Sequence, residues 1–219
     1  MVDEINRVVV VGAAGFGRES LDVLEAMQAG GADLEMMGVI DDNPSEVNLN
    51  RLAARGVPYL GTVDNWLSSS PSNIGFVLGV GNPSVRRRLA QRLENAGFSP
   101  FSAVHPKSVI GSESKLSAGV VICAGAVIDT NVQLGSHVHI NKNVTIGHDV
   151  SVGDFVSVNP AAVIAGEVRI QDDVLVGATA TVLQNLTVGE RTIVGAAALV
   201  TKDVPNDVVV KGVPGVWNA

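Results

Sequence analysis

The sequence predicts a mainly β protein in which a C-terminal parallel β-helix follows a small α/β domain. Two observations carry this. The first is an unbroken aliphatic ladder in which every sixth residue qualifies: Val104, Ile110, Leu116, Ile122, Ile128, Leu134, Ile140, Ile146, Val152, Val158, Ile164, Ile170, Val176, Val182, Val188, Val194 and Val200. A helix repeats every 3.6 residues and a flat strand every two, so neither produces a strict six. Stacked hexapeptides do. The second observation is that the grammar before Val104 is different, with short aliphatic runs alternating with helix-like stretches and glycine-rich turns.

Within the ladder, a small or β-branched residue follows each aliphatic by four places, as at Val120, Ala126, Val132, Val138, Val144 and Val150. One large and one small inward residue per short strand fill a narrow triangular prism. Glycine often stands directly after the aliphatic, as at Gly111, Gly135, Gly147, Gly153, Gly177 and Gly189. With Asn and Asp it supplies the corners, where a positive φ or a side-chain-to-backbone bond is useful. Three hexapeptides close one coil of 18 residues, and such a solenoid is stable once several coils stack.

The first part reads as strand and helix in alternation. Arg7–Val11 has a buried-strand pattern, followed by the Gly12–Gly17 loop and a helix from Arg18 to Gln28. Met36–Ile40 is a second strand, ending in Asp41 and Asp42. Ile74–Leu78 is a third, leading through Gly79–Asn82 into a helix over Ser84–Ala96. This order predicts a small parallel sheet. The boundary falls at Phe98–Pro100, giving domains over 1–99 and 100–219.

Composition narrows the function. Aromatics make up 4% of the chain, as a thin prism requires, and the net charge of −7 argues against nucleic acid as a partner. The basic run Arg86, Arg87, Arg88 with Arg92 reads as a solvated helix face, with a nucleotide phosphate as the alternative. The single cysteine, Cys123, allows no disulfide framework and no thiolate metal site. The N-terminal MVDEINR and the valines after it are too short for a signal peptide or a membrane span. The expectation is a cytoplasmic protein with no membrane partner, in which the sequons at Asn143 and Asn185 carry no glycan.

Candidate chemistry lies in two places. The Gly12-Ala13-Ala14-Gly15-Phe16-Gly17 turn between strand and helix leaves N–H groups free for an anion. Its G-x-x-G-x-G spacing is not the dinucleotide one. Asp41 or Asp42 can accept from a ribose or base, or both are solvated loop carboxylates. The domain is about the size of one mononucleotide-binding half, which disfavours a redox cofactor. In the prism the histidines are His105, His137, His139 and His148. His148 sits at a corner two places past Ile146 and is followed by Asp149. One coil further, position 166 is a glycine, and neighbouring coils lie about 4.8 Å apart. A base beside an unshielded backbone N–H is what acyl transfer needs. A zinc anhydrase is a rival, but His137 and His139 have no third histidine at a matching offset.

The ladder, the Gly12–Gly17 loop, Asp41-Asp42, Asn141 and Gly147-His148-Asp149 together resemble the bacterial sugar acetyltransferases with a left-handed β-helix. The branch is that of sialic acid O-acetyltransferases and the N-acetyltransferases of nucleotide-linked 4-amino sugars. The resemblance covers essentially the whole chain and implies a Rossmann-like first domain. It implies a homotrimer, with acetyl-CoA between adjacent prisms and no metal. It makes His148 the general base, Asp149 its orienting acid, Asn141 an acetyl-site residue and Gly166 the N–H donor to the thioester carbonyl. Gly212, Val213 and Pro214 match the ending that contacts CoA, and Ser157 is placed with them. Gly12, Gly15, Phe16, Gly17, Asp41, Asp42 and Asn82 are placed at the nucleotide sugar. Two departures stand out: Ser157 occupies the position of a second histidine in many relatives, and Phe16 replaces a frequent loop histidine. The expected activity is N-acetylation of a nucleotide amino sugar, with O-acetylation and an inactive scaffold as alternatives.

Overall fold

The computed structural model describes residues 5–69 and 73–218. Residues 1–4, on which part of the N-terminal reading falls, lie outside them. The chain forms two compact units, Met1–Val104 and His105–Ala219.

The first unit is a parallel sheet with flanking helices. Its elements are β1 (Arg7–Val11), α1 (Gly15–Ala29), β2 (Glu35–Ile40), α2 (Glu46–Ala54), α3 (Val63–Ser69), β3 (Gly75–Leu78), α4 (Pro83–Asn95) and β4 (Ser99–Pro100). The sheet order is β2-β1-β3-β4. Val8–Val11 on β1 and Phe76–Leu78 on β3 are fully buried, as central strands covered on both faces must be. Helix α1 begins earlier than the pattern suggested, so Gly15, Phe16 and Gly17 form its first turn. Helices α2 and α3 are too short and too weakly periodic to read from sequence. Ser45 starts α2 by accepting the Asn48 N–H.

The second unit is a triangular parallel β-helix of two-residue strands. One face stacks Val109–Ile110, Val127–Ile128, Thr145–Ile146, Val163–Ile164, Thr181–Val182 and Leu199–Val200. The next stacks Lys115–Leu116, Gln133–Leu134, Ser151–Val152, Arg169–Ile170 and Thr187–Val188. The third carries Val121–Ile122, His139–Ile140, Ser157–Val158, Leu175–Val176, Ile193–Val194 and Val209–Val210. Partners such as Thr145 and Val163 are 18 residues apart. From Ile122 to Val200 the ladder residues are buried. Ile110 is exposed because it lies on the first coil. After Val200 the spacing shortens: Val188 bridges Val204, and Val194 pairs with Val210. A corner two residues short therefore ends the strict ladder.

The corners depart from the sequence reading. Each regular corner from residue 113 to 197 has one residue in the left-handed region, and most are not glycine: His137, Phe155, Ala161, Thr179 and Arg191 all have φ near +57°. The glycines that follow the ladder residues are not in that region. They are needed because the next coil presses on them. A Cβ on Gly111 would lie 2.5 Å from the Asp129 carbonyl carbon, and one on Gly147 would lie 2.7 Å from the Gly166 nitrogen.

Candidate functional site

The corner after Thr145–Ile146 holds His148 and Asp149. Their side chains are 57% and 47% exposed, so the ring projects outward. Asp149 has φ +61°, a conformation that Asp and Asn tolerate better than most residues. Its Oδ2 lies 2.8 Å from His148 Nδ1, and its Oδ1 accepts from Asn131 Nδ2 at 3.0 Å. These bonds, His148's first and Asn131's second, hold the Asp149 carboxyl below its ordinary value.

Gly166 lies where the coil arithmetic puts it. A Cβ there would sit 2.6 Å from His148 Nε2 and 2.7 Å from Cε1, so the ring rests against bare backbone. The Gly166 carbonyl accepts from the Asn185 N–H. Gln184 occupies the same place one coil on; Lys202 follows in the shortened corner after Val200, and its Nζ stands 4.7 Å over the Trp217 ring.

The remaining candidates of this unit lie elsewhere. Asn141 belongs to the preceding corner of its coil; it is buried and donates to Asn159 Oδ1 at 3.4 Å. Ser157 is buried and stacks in register on His139. Gly212, Val213 and Pro214 are exposed and sit in a closing turn, where Lys211 and Val216 exchange backbone bonds. His137 packs between Gly119 and Phe155, with ring centroids 5.0 Å apart in the stacked pair. Among the described residues no three His, Cys, Asp or Glu side chains converge as metal ligands.

The first unit has its own cleft, of about 370 Å³, where the C-terminal ends of β1, β2 and β3 meet. Gly12, Phe16, Asp41, Asp42, Gly79 and Val80 are among its walls. Gly12 has φ +110°, and a Cβ on Gly17 would lie 1.8 Å from the Gly12 carbonyl oxygen. These two glycines therefore let α1 start directly on the loop, whereas Gly15 faces open space. Ala14 at the N-cap offers no side-chain acceptor to the first turn of α1.

Both aspartates brace the cleft as well as lining it. Asp41 accepts the Ala13 N–H at 2.7 Å and the Asn43 N–H at 2.8 Å. Asp42 accepts the Val63 N–H and pairs with Arg92, which also pairs with Asp64. Neither is a merely solvated loop carboxylate. Asn82 caps α4 by accepting the Val85 N–H. The basic run is not a uniformly solvated face either. Arg86 is fully buried and donates to the Val80 and Gly81 carbonyls, fixing the loop after β3. Arg18 was not legible as a site residue. It puts its guanidinium on the Ala13 carbonyl and Asn48 Oδ1, beside the glycine loop.

A hexapeptide prism of this kind has the fold of the β-helix acyltransferases, and the carboxylate-backed histidine lying on a glycine of the next coil is its candidate site. Comparison with known proteins agrees. Residues 7–93 match the PglD N-terminal domain family. A UDP-N-acetylbacillosamine N-acetyltransferase of Bacillus subtilis (strain 168) is 29% identical over 120 residues, covering 55% of this chain and 52% of the relative. That match thus spans about half the length of the curated relative. A structure of PerB from Caulobacter crescentus, in complex with CoA and GDP-perosamine, is 26% identical with a TM-score of 0.87, covering 99% of both chains. The acetyltransferase domain of PglB from Neisseria gonorrhoeae FA1090, with acetyl coenzyme A, is 25% identical with a TM-score of 0.84, covering 98% of this chain and 100% of the other. By domain match and by fold, the chain is similar to the β-helix sugar acetyltransferases represented by these proteins.

Proposed function

We propose that the protein transfers acetyl from acetyl-CoA to the amino group of a nucleotide-linked amino sugar. One observation carries the reading: the His148 ring, anchored at Nδ1 by Asp149, lies across the backbone of Gly166. With Nδ1 bound to the carboxylate, Nε2 is free to take a proton. The neutral sugar amine attacks the thioester carbonyl while His148 Nε2 accepts its proton. The C–N bond forms, and the Gly166 N–H steadies the oxygen that becomes negative. The C–S bond then breaks, and the departing CoA thiolate recovers the proton from His148. No acyl-enzyme is required, since no activated serine or cysteine accompanies the histidine.

The corner column suits the donor. From Gly166 to Lys202 is two coils, or about 10 Å at about 4.8 Å per coil, within reach of the donor. The pantetheine arm, about thirteen bonds from sulfur to phosphorus, extends about 15 Å at about 3.5 Å per three bonds. With the thioester at Gly166, the nucleotide end reaches Lys202 and the Gly212–Pro214 turn. Asn141 and Ser157 are assigned to the acetyl and CoA surroundings on resemblance alone. The first-unit cleft holds the nucleotide, its phosphates at the α1 N-terminus and its base or ribose near Asp41 and Asp42. The co-crystallisation of PerB with CoA and GDP-perosamine supports this pairing of ligands.

A homotrimer is part of the proposal. Val109, Val127 and Val163 are exposed along one prism face, in line with Thr145, Thr181 and Leu199. The neighbouring face presents Lys115, Gln133, Ser151, Arg169 and Thr187. An apolar face beside a polar one suits packing of like prisms. No helix among the described residues is long and apolar enough to cross a membrane. The two substrates place the reaction in the cytoplasm.

The test is thiol release from acetyl-CoA against a panel of UDP-, GDP- and TDP-linked amino sugars. The expected product carries an acetamide that resists alkaline hydroxylamine. A hydroxylamine-labile ester would move the assignment to O-acetylation, and no acetyl-CoA binding by titration calorimetry would leave a scaffold.

A further inference from the structure

The His148–Asp149 pair poses a problem of its own. Both side chains are about half exposed, and an exposed pair of this kind does little to fix a ring in one orientation. The carboxylate is, however, held from its far side. Asn131 Nδ2 donates to Asp149 Oδ1 at 3.0 Å, while Oδ2 faces His148 Nδ1 at 2.8 Å.

Asn131 is placed for this by the repeat. It stands 18 residues before Asp149, at the same position of the same corner one coil earlier, with φ +60° against +61°. Side chains that leave equivalent left-handed residues run parallel, about 4.8 Å apart. At that spacing an amide and a carboxylate meet side by side. The backbone is tied in the same column, since the Asp149 N–H donates to the Thr130 carbonyl and the Asn131 N–H to the Ser112 carbonyl.

We propose that Asn131 is a positioning residue for the acetyl-transfer site. By occupying Oδ1 it fixes the plane of the Asp149 carboxylate, so that Oδ2 receives the His148 Nδ1–H. The ring then stays in the tautomer with a free Nε2 lone pair, lying on Gly166. Asn131 touches neither substrate, and its effect passes through Asp149. This inference rests on the reading of His148 as the base.

Two variants test it in the full-length protein. Asn131→Gly keeps the left-handed corner and removes the donor. Asn131→Asp keeps the shape and puts an acceptor where the donor was. Each is expected to lower kcat about three- to tenfold, the span of one ordinary hydrogen bond, with the KM for acetyl-CoA within about twofold. Long-range proton–nitrogen spectra of histidine-labelled protein should show His148 leaving a single Nδ1–H tautomer for a mixture. An unchanged tautomer, or an unchanged kcat, in both variants overturns the role of Asn131. Failure of the underlying reading looks different: His148→Ala would then turn over at the wild-type rate, whatever Asn131 does.

Discussion

Replacing Gly166 with alanine adds one methyl group where the His148 ring lies. The new Cβ would stand 2.6 Å from Nε2, 2.7 Å from Cε1 and 3.1 Å from Cδ2. Ordinary contacts between such atoms begin at about 3.5 Å, so the ring must retreat by about 1 Å. It has room to do so, being 57% exposed on its outer side. A displacement of that size at a reacting group costs about 10²-fold in rate. The fold should be unharmed, because Gly166 is outside the left-handed region and alanine needs no backbone strain there. Loss of glycine's freedom in the unfolded chain contributes about 0.4–1 kcal/mol of stability. The Gly166→Ala protein should therefore keep or raise its Tm while kcat for thiol release falls about 10²-fold. A kcat within about twofold of wild type would refute the placement of the ring against Gly166. A collapse in Tm would show that the glycine serves coil packing instead.

Two further perturbations follow from the geometry. The Asp149 carboxyl is lowered by hydrogen bonds from His148 and then Asn131, so it stays ionised as pH falls through the ordinary carboxylate range. Its hold on the ring is present above that range and lost only as pH falls through the lowered value. A carbon-13 titration of Asp149 should have its midpoint below 3.8, and a midpoint at or above it would contradict the bonding described. In the first unit, Arg86→Ala strips two carbonyls of a buried donor. At about 1–3 kcal/mol for each, plus the cavity left behind, urea denaturation should show a loss of at least about 3 kcal/mol. An unchanged midpoint would mean that solvent replaces the guanidinium.

The prism was legible because its interior admits few residues: one aliphatic and one small side chain per strand, repeated at six, leave little else to fold into. The same regularity made the corner legible, since adding 18 to His148 finds Gly166. Subtracting 18 from Asp149 finds Asn131 equally well, and that signal was there to use. The corner glycines were misread because a φ above zero and the press of a neighbouring coil both select glycine, and only coordinates separate them. Arg86 looked solvated because a basic run on a helix usually is. Its burial depends on the bend of the loop after β3, which no local pattern encodes. Asp41 and Asp42 were found as cleft residues, but their bonds to the Ala13 and Val63 N–H groups arise from segments distant in sequence.

The most direct test of the account is the rate of His148→Ala with acetyl-CoA and the best nucleotide amino sugar acceptor. Loss of a general base predicts a kcat lower by about 10²–10⁴-fold, with the KM for acetyl-CoA close to wild type. An unchanged kcat would contradict the proposed chemistry of this corner.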